Sequence, residues 1–456
     1  MKIPKTEVII VGAGFSGIAA AKKLFEAGIS FKILEARDRI GGRVYTNYLK
    51  EDLYVDLGGQ WIGPTQDRMY ELCKEYGISY FETYDEGKNI LNLRGKIRTY
   101  KGIIPKMDPV SLINLDILMR KMERMARQIN VHTPWSHPKA QKWDQLTLED
   151  FLRKNSKTKS CYEVIKIGCE TIFACELHEI SLLHALFYIR SGKSLDCLIN
   201  IQGGAQQHRI EGGMQRIAEA MATPFRDHII FNSPVEKVIQ STDHTDVISG
   251  ENRFSSNRVI LAVPPPLLKK IHFEPGLSSE KSELLDNYAM GRVGKCFMIY
   301  QTPFWREDSF SGQVVSDDPL THQTLFDCST VDGKYGILMG FTIGNRADEY
   351  FGRSEEDRKK RMISQLVQYF GEKAKDPIQY IDFTMSDETW SQGCYAGLMP
   401  VGAWTTWREA YRKPEGNLHF AGTEAATVWH GYIEGAVRAG EAAALEIIKK
   451  KNKEEA

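Results

Sequence analysis

The chain has 456 residues, and at about 100–200 residues per domain that implies two or three domains rather than one small core. Its 59 basic and 59 acidic side chains cancel, so no global field is available to recruit nucleic acid or an anionic membrane. Eight cysteines without any C-x-x-C spacing argue against a zinc site, and no stretch approaches the roughly 20 apolar residues of a membrane span, so a cytoplasmic protein with reduced thiols and no metal is expected.

The N-terminus runs directly into an apolar segment, which argues against a cleaved targeting peptide. Glu7 to Val11 reads as a buried strand, Ser16 to Ala27 as a helix and Phe31 to Glu35 as a second strand. Between the first two, Gly12, Gly14 and Gly17 complete a G-x-G-x-x-G. Gly12 permits the tight turn, Gly14 lets the backbone approach a pyrophosphate, Gly17 lets helix and strand pack closely, and the helix N-terminus offers unpaired N–H groups to the anion. Glu35 ends the second strand, where a carboxylate can accept both hydroxyls of a ribose. The unit is expected to bind a dinucleotide, with NAD, NADP and FAD all open at this point.

Gly41-Gly42-Arg43 follows, a second close backbone approach with a guanidinium able to grip phosphate bidentately. Val55 to Gln66 carries three glycines and a proline, which implies a backbone lying against something flat or crowded. From about Pro109 to Ile189 the texture is helical, with Leu112, Leu115, Leu118 and Met119 at helical spacing and Thr147 placed to cap a helix. His178 and His184, six apart, do not share a helix face as metal ligands four apart would. Ile229 to Phe231, Val235 to Ile239 and Val259 to Val263 read as strands returning to the first sheet, which makes the domains discontinuous. Met298 to Tyr300, Thr321 to Asp327 and Gly336 to Phe341 read as strands of a second sheet, with Ser354 to Phe370 a charged amphipathic helix. Leu418 to Glu424 is strand then glycine turn, and Gly431 to Lys449 a long helix whose Gly431, Gly435 and Gly440 suggest close packing on a bulky planar ligand.

With Glu35-Ala-Arg-Asp-Arg-Ile-Gly-Gly-Arg43, Val55 to Gln66 and Phe420-Ala-Gly-Thr-Glu424 in hand, the chain resembles the flavin-containing amine oxidases, most closely the monoamine oxidase branch, from residue 5 to about 449. The resemblance implies an α/β, overall α+β, fold. A Rossmann-like FAD-binding domain would comprise residues 1–80, 205–285 and 395–456. An interleaved substrate domain would comprise 81–204 and 286–394, with a helical part at about 109–190. It implies FAD held by Gly12, Gly14, Phe15, Ser16, Gly17, Glu35, Ala36, Arg37, Gly42 and Arg43 at the ADP end, with Val235 against the adenine. Gly58, Gly59, Gln60 and Trp61 would lie near the flavin, and Gly422, Thr423 and Glu424 would bring a helix N-terminus to its pyrimidine edge.

Around the reacting ring, the resemblance implies Lys295 as the lysine that holds a water against flavin N5. Tyr395 and Tyr432 match the aromatic pair that flanks the amine. Ser391-Gln-Gly-Cys-Tyr395 matches the motif whose cysteine bonds to the flavin 8α carbon, so Cys394 is the candidate for covalent attachment, although Gln392 departs from the pattern and no tryptophan stands just upstream of Trp390. Phe173, Leu198, Ile199 and Gln206 fall where the family lines its substrate cavity. The expected reaction converts a primary or secondary amine to an imine and then an aldehyde, with dioxygen reduced to hydrogen peroxide. Putrescine stays open, with Glu176 and Glu179 in a possible cavity wall; an amino-acid oxidase and a flavin-binding scaffold of secondary redox role are the other readings. The oligomeric state is open, a homodimer included.

Overall fold

The computed structural model describes residues 6–319 and 322–454. An eight-stranded sheet runs in the order Ile229–Ile230, Phe31–Leu34, Thr6–Val11, Asn252–Leu261, Thr245–Ser249, Lys237–Gln240 and His272–Glu274, with Leu418–Phe420 also pairing on Asn252–Leu261. The first four strands run parallel to one another, and Leu418–Phe420 runs parallel to Asn252–Leu261. Their carboxyl ends therefore open on one rim, where Gly12, Glu35, Ala262 and Gly422 follow the strands; in open α/β sheets that rim is where ligands bind. Within Thr6–Val11, the run Val8 to Val11 is apolar and buried on both faces, as a central parallel strand must be.

The opening helix, Phe15–Glu26, begins one residue earlier than expected and packs on Ile433–Glu454, the C-terminal helix. Gly17 and Gly440 set that packing. A Cβ on Gly17 would lie 1.9 Å from the Gly12 carbonyl oxygen, and one on Gly440 would lie 1.9 Å from that of Ser16. Gly435 is likewise pressed to 2.1 Å by the Trp429 carbonyl, and Gly431, at φ +83°, to 2.3 Å by the Tyr188 hydroxyl. Gly435 and Gly440 thus make room for other parts of the chain, whereas Gly431 meets Tyr188 and also lines the ligand cavity. The crowding expected at Val55 to Gln66 has the same origin, with Gly58 against the Arg43 carbonyl and Gly63 against that of Gly204.

A seven-stranded sheet is ordered Gln379–Thr384, Val293–Tyr300, Gly336–Ile343, Thr324–Asp327, Phe310–Ser316, Lys88–Leu93 and Lys96–Tyr100. Thr321 lies outside the described residues, and the strand expected from it starts at Thr324. Along Val293–Tyr300 the two-residue period sends Cys296, Met298 and Tyr300 toward the helix Glu355–Phe370, into a core with Met362, Leu366 and Phe370. Val293, Phe297 and Ile299 go to the opposite face. Lys295 falls on the same face as this second set, so its place inside the strand, not at its start, turns it toward the ligand cavity.

Helices Pro109–Ala126, Leu148–Asn155, Lys159–Phe173 and Leu182–Ser191 form the wall expected to be helical. Asp108, Thr147, Thr158 and Ser181 cap them, each accepting a hydrogen bond from the backbone N–H three residues on, and such caps contribute about 1 kcal/mol each. Among the described residues no helix is long and apolar enough to cross a membrane.

Candidate active site

One cavity of about 730 Å³ runs from the rim of the parallel sheet, past the seven-stranded sheet, to the helical wall. Its rim end is built of backbone. Gly12 turns at φ +99°, and a Cβ there would meet the Ala262 carbonyl oxygen at 2.9 Å. Gly14 and Gly42 face each other so closely that a Cβ on Gly42 would sit 3.2 Å from the Gly14 Cα. Gly14 is also the N-cap of the opening helix and offers no side chain to its first N–H groups, which remain for an anion. Glu35, 2% exposed, accepts from the Ala13 N–H at 2.7 Å and the Arg37 N–H at 2.9 Å, which fixes its carboxylate on the cavity wall. A glycine cradle, an uncapped helix end and an oriented carboxylate fit a dinucleotide diphosphate and ribose.

Arg37 and Arg43 both line the cavity, and both are also paired with carboxylates of the chain. Arg37 reaches across to the loop before Tyr395, donating to Glu388 at 3.1 Å and to Ser391 Oγ at 2.8 Å. The bidentate partner of Arg43 is Glu424, at 2.6 and 3.0 Å, and Arg43 donates a further bond to the Tyr395 carbonyl at 2.9 Å. Burial works to raise the pKa of Glu424, but Arg43 holds it below the usual carboxylate value. Glu424 also accepts from the Gly397 N–H at 3.0 Å and does not line the cavity. Its expected place at a helix N-terminus is corrected too: Thr423–Ala425 is a single 3₁₀ turn, and the long helix starts at Ile433, which with Tyr432 does face the cavity. Gly17 lies beneath the turn, away from the cavity.

At the other end of this ligand path, Lys295 Nζ donates to the carbonyls of Asp56 at 2.9 Å and Gly58 at 2.6 Å, and to Gln60 Oε1 at 2.7 Å. Gln60 in turn donates from Nε2 to Cys328 Sγ at 3.3 Å, so its amide is oriented from both sides. All three donors of the ammonium are engaged by the protein. Burial lowers the pKa of Lys295 to about 8, against the opposing field of Asp56. The rings of Phe341 and Trp61 stand 5.6 and 5.8 Å from Nζ. Cys394 lies on the same wall as the one cysteine of the eight that is not fully buried, and burial pushes its thiol up to about 11, with Lys295 and Arg43 pulling the other way.

Tyr395 packs edge-on against Phe341 at 6.3 Å, and Tyr432 lies 6.0 Å from Tyr188 and 4.8 Å from Trp429. Tyr395 and Tyr432 both line the cavity, and burial drives both hydroxyls to higher pKa. Beyond them the walls are mostly aliphatic and aromatic. Leu198, Ile199 and Gln206 line the cavity as expected, as do Phe15, Ser16, Ala36, Gly59, Val235, Gly422 and Thr423. Phe173 does not: it is buried edge-on to Tyr188 at 5.2 Å, and Ile165, Gly168 and Ile172 of the same helix face the cavity instead. Glu176 and Glu179 are also off the wall, bonded to the Asn345 N–H and paired with Arg292. Sequence reading missed Tyr188, Phe341 and the pair Thr324 and Phe326. The pair's two-residue spacing on a strand was the available signal.

The family model described as flavin containing amine oxidoreductase matches residues 15–448. The chain belongs to that family. It is similar to AofH of Mycobacterium tuberculosis, provisionally named a flavin-containing monoamine oxidase, at 36% identity over 97% of this chain and 96% of that one. The flavin-containing amine oxidase of Oncorhynchus mykiss is 35% identical over 97% of this chain and 85% of its own length. Among solved structures, putrescine oxidase bound to putrescine superposes with a TM-score of 0.94 at 31% identity, covering 98% of this chain and 99% of that one. Cyclohexylamine oxidase from Brevibacterium oxydans IH-35A also gives 0.94, at 28% identity, covering 98% and 100%. The protein is accordingly a FAD-dependent oxidoreductase that acts on amines.

Proposed function

We propose that the protein is a monoamine oxidase for amines with apolar tails, releasing an imine that water hydrolyses to an aldehyde and using dioxygen as acceptor with hydrogen peroxide as product. The observation that carries this reading is the convergence of Lys295, Cys394, Tyr395 and Tyr432 on one stretch of a cavity whose far walls are apolar and whose rim end is the glycine cradle with Glu35. In it, residues 1–80, 205–285 and 395–456 hold the cofactor and 81–204 with 286–394 the substrate, a division supported by where the strands of the two sheets fall. FAD, when bound, accepts a hydride equivalent from the amine's α carbon and passes the electrons to dioxygen.

The side chains supply position, desolvation and charge. Tyr395 and Tyr432 flank the amine, and their closed, apolar surroundings favour the neutral amine over an ammonium that would lose its hydration. Their raised hydroxyl pKa values keep both tyrosines protonated, so neither serves as a base. Lys295, with its pKa lowered to about 8, can hold or release a proton at Nζ near neutral pH while dioxygen is reduced. Cys394 is the proposed point of covalent attachment, and the free, reduced thiols support a cytoplasmic setting.

A diamine would call for a carboxylate at the far end of the cavity. Glu176 and Glu179 are engaged elsewhere, and of the acids on the wall Glu35 belongs to the ribose end, which leaves Asp85 and Asp196. The test is anaerobic addition of benzylamine, tyramine and putrescine to the yellow protein, followed by air. Bleaching by the first two with peroxide on reoxidation is expected. Bleaching by putrescine alone would move the assignment to a diamine oxidase, and no bleaching by any amine would overturn it.

A further inference from the structure

The three oxygens that meet the Lys295 ammonium differ in kind. Two are backbone carbonyls, of Asp56 and Gly58, in a tightly packed stretch: a Cβ on Gly58 would lie 2.2 Å from the Arg43 carbonyl oxygen, and the Gly59 N–H donates to that same oxygen at 3.2 Å. The third, Gln60 Oε1 at 2.7 Å, belongs to a side chain that can rotate. Gln60 is 3% exposed and lines the ligand cavity.

The chemistry of the pair decides which end of the Gln60 amide faces Nζ. An ammonium has only donors, so the oxygen must meet it, and Nε2 is left to donate to Cys328 Sγ at 3.3 Å. Cys328 is anchored in turn, its N–H donating to the Ile337 carbonyl at 2.7 Å, and it stands behind the cavity wall instead of on it. With three N–H groups and three acceptors, charged Lys295 has no donor left for a partner in the cavity. A neutral amine has two N–H groups and one lone pair, so one of the three bonds lapses on deprotonation. The two carbonyls are fixed in packed backbone, so the bond that yields is the one to Gln60. Any small polar molecule that reaches Nζ from the cavity must displace the same amide oxygen.

We infer that Gln60 is a positioning residue for Lys295: its amide oxygen, oriented by Cys328, is the exchangeable acceptor that sets where Nζ points and when it carries its proton. The inference rests on the part given to Lys295 in the proposed function. The charged and titratable groups around Nζ are otherwise engaged. Asp56 spends its carboxylate on Thr46 Oγ1 at 2.6 Å and the Met214 N–H at 3.1 Å, and Arg209 donates to the Ser329 carbonyl at 2.8 Å. Burial pushes Lys295 down to about 8; Asp56, Cys328 and Cys394 oppose it, and Arg209 adds to it. A change at Gln60 leaves all four in place.

The test follows the urea midpoint of the flavin-loaded protein against pH, and separately the rate at which air reoxidises photoreduced flavin. In the parent the Lys295 contribution to stability starts to rise near pH 8. A hydrogen bond to a charged group corresponds to about one pH unit, so Gln60→Leu should lower that onset by about one unit. Gln60→Glu, which keeps an acceptor and adds a charge, should raise it by about as much. Cys328→Ala, off the cavity wall, frees the amide to turn and should shift the onset in the direction of Gln60→Leu, by less. Adding Lys295→Met should abolish the onset in every background, and the reoxidation profiles should shift in the same order. A glutamine with a merely structural role would lower every midpoint alike, without opposite shifts for Leu and Glu. That result, or an onset that none of the three variants moves, overturns the inference. Neither readout uses an amine, so failure of every amine to bleach the flavin is a separate result. Opposite shifts in the urea profile with unchanged reoxidation would support the positioning by Gln60 and remove Lys295 from the reduction of dioxygen.

Discussion

Replacing Gly440 by alanine should damage cofactor binding from outside the cavity. The new methyl carbon would lie 1.9 Å from the Ser16 carbonyl oxygen and 2.8 Å from its carbon, well inside the 3.0 Å that real Cβ contacts respect. Both neighbours are helix backbone, so no side chain can rotate away, and the C-terminal helix must move off the opening helix by roughly 1 Å to restore van der Waals contact. Overpacking of this kind costs about 1–3 kcal/mol. The cost does not stay local. Ser16 lines the cavity at the N-terminus of the opening helix, and its Oγ accepts from the Gly422 N–H at 2.9 Å, so the shift also pulls apart two strand-end turns that form the rim. A misplacement of about 1 Å in such a site can cost on the order of 100-fold. Expected for Gly440→Ala are a melting temperature lowered by several degrees and a flavin-to-protein absorbance ratio well below the parent's after gel filtration. If the variant retains full flavin and the parent's melting curve, the tight helix contact does not position the cradle and the reasoning fails.

Cys394→Ala should release all flavin into the supernatant on acid precipitation, while the parent keeps it with the protein; release from the parent would refute attachment through this thiol. Glu424→Gln should destabilise by about 3–5 kcal/mol in urea titrations, because the buried Arg43 guanidinium loses its counter-charge, and a change under 1 kcal/mol would show the pair to be solvated. Lys295 has a folded-state pKa of about 8 against 10.5 for the free side chain, so the folded form binds fewer protons between those values and this group's contribution to stability rises with pH. The penalty is fully present below about 8, amounts to about 3 kcal/mol, and is gone above about 10.5; Lys295→Met should flatten that part of the urea-midpoint profile.

What the sequence made legible was local chemistry. The turn at Gly12, the cradle glycine Gly14, the acid Glu35 and the cap Thr147 each depend on a few neighbouring residues, and each stands where the spacing placed it. What it concealed depends on pairing or phase. Arg43 and Glu424 lie 381 positions apart, and nothing in either segment says that the arginine's two nitrogens are met by a carboxylate rather than left for phosphate. Phe173 and Ile172 are adjacent, but one helical step of 100° decides which reaches the cavity and which reaches Tyr188. Glycine is ambiguous in the same way, since a missing Cβ accommodates a ligand or a neighbouring backbone equally well, and at Gly435 and Gly440 the neighbour is the chain itself.

That substitution of chain for ligand carries a physical consequence for how the site is assembled. The rim joins residues near position 12, near 262 and near 422, and the Lys295 end joins the Asp56–Gln60 segment to a strand of the other sheet. No contiguous piece of the chain contains a complete half of the cavity. The helix contact at Gly440, the Arg43–Glu424 fork and the Lys295 bonds to Asp56, Gly58 and Gln60 therefore do the positioning that a ligand would otherwise be asked to do. Each is made between groups of the chain itself. A cavity held in this way loses little freedom when the dinucleotide enters, so ordering costs that would subtract from affinity are met during folding instead.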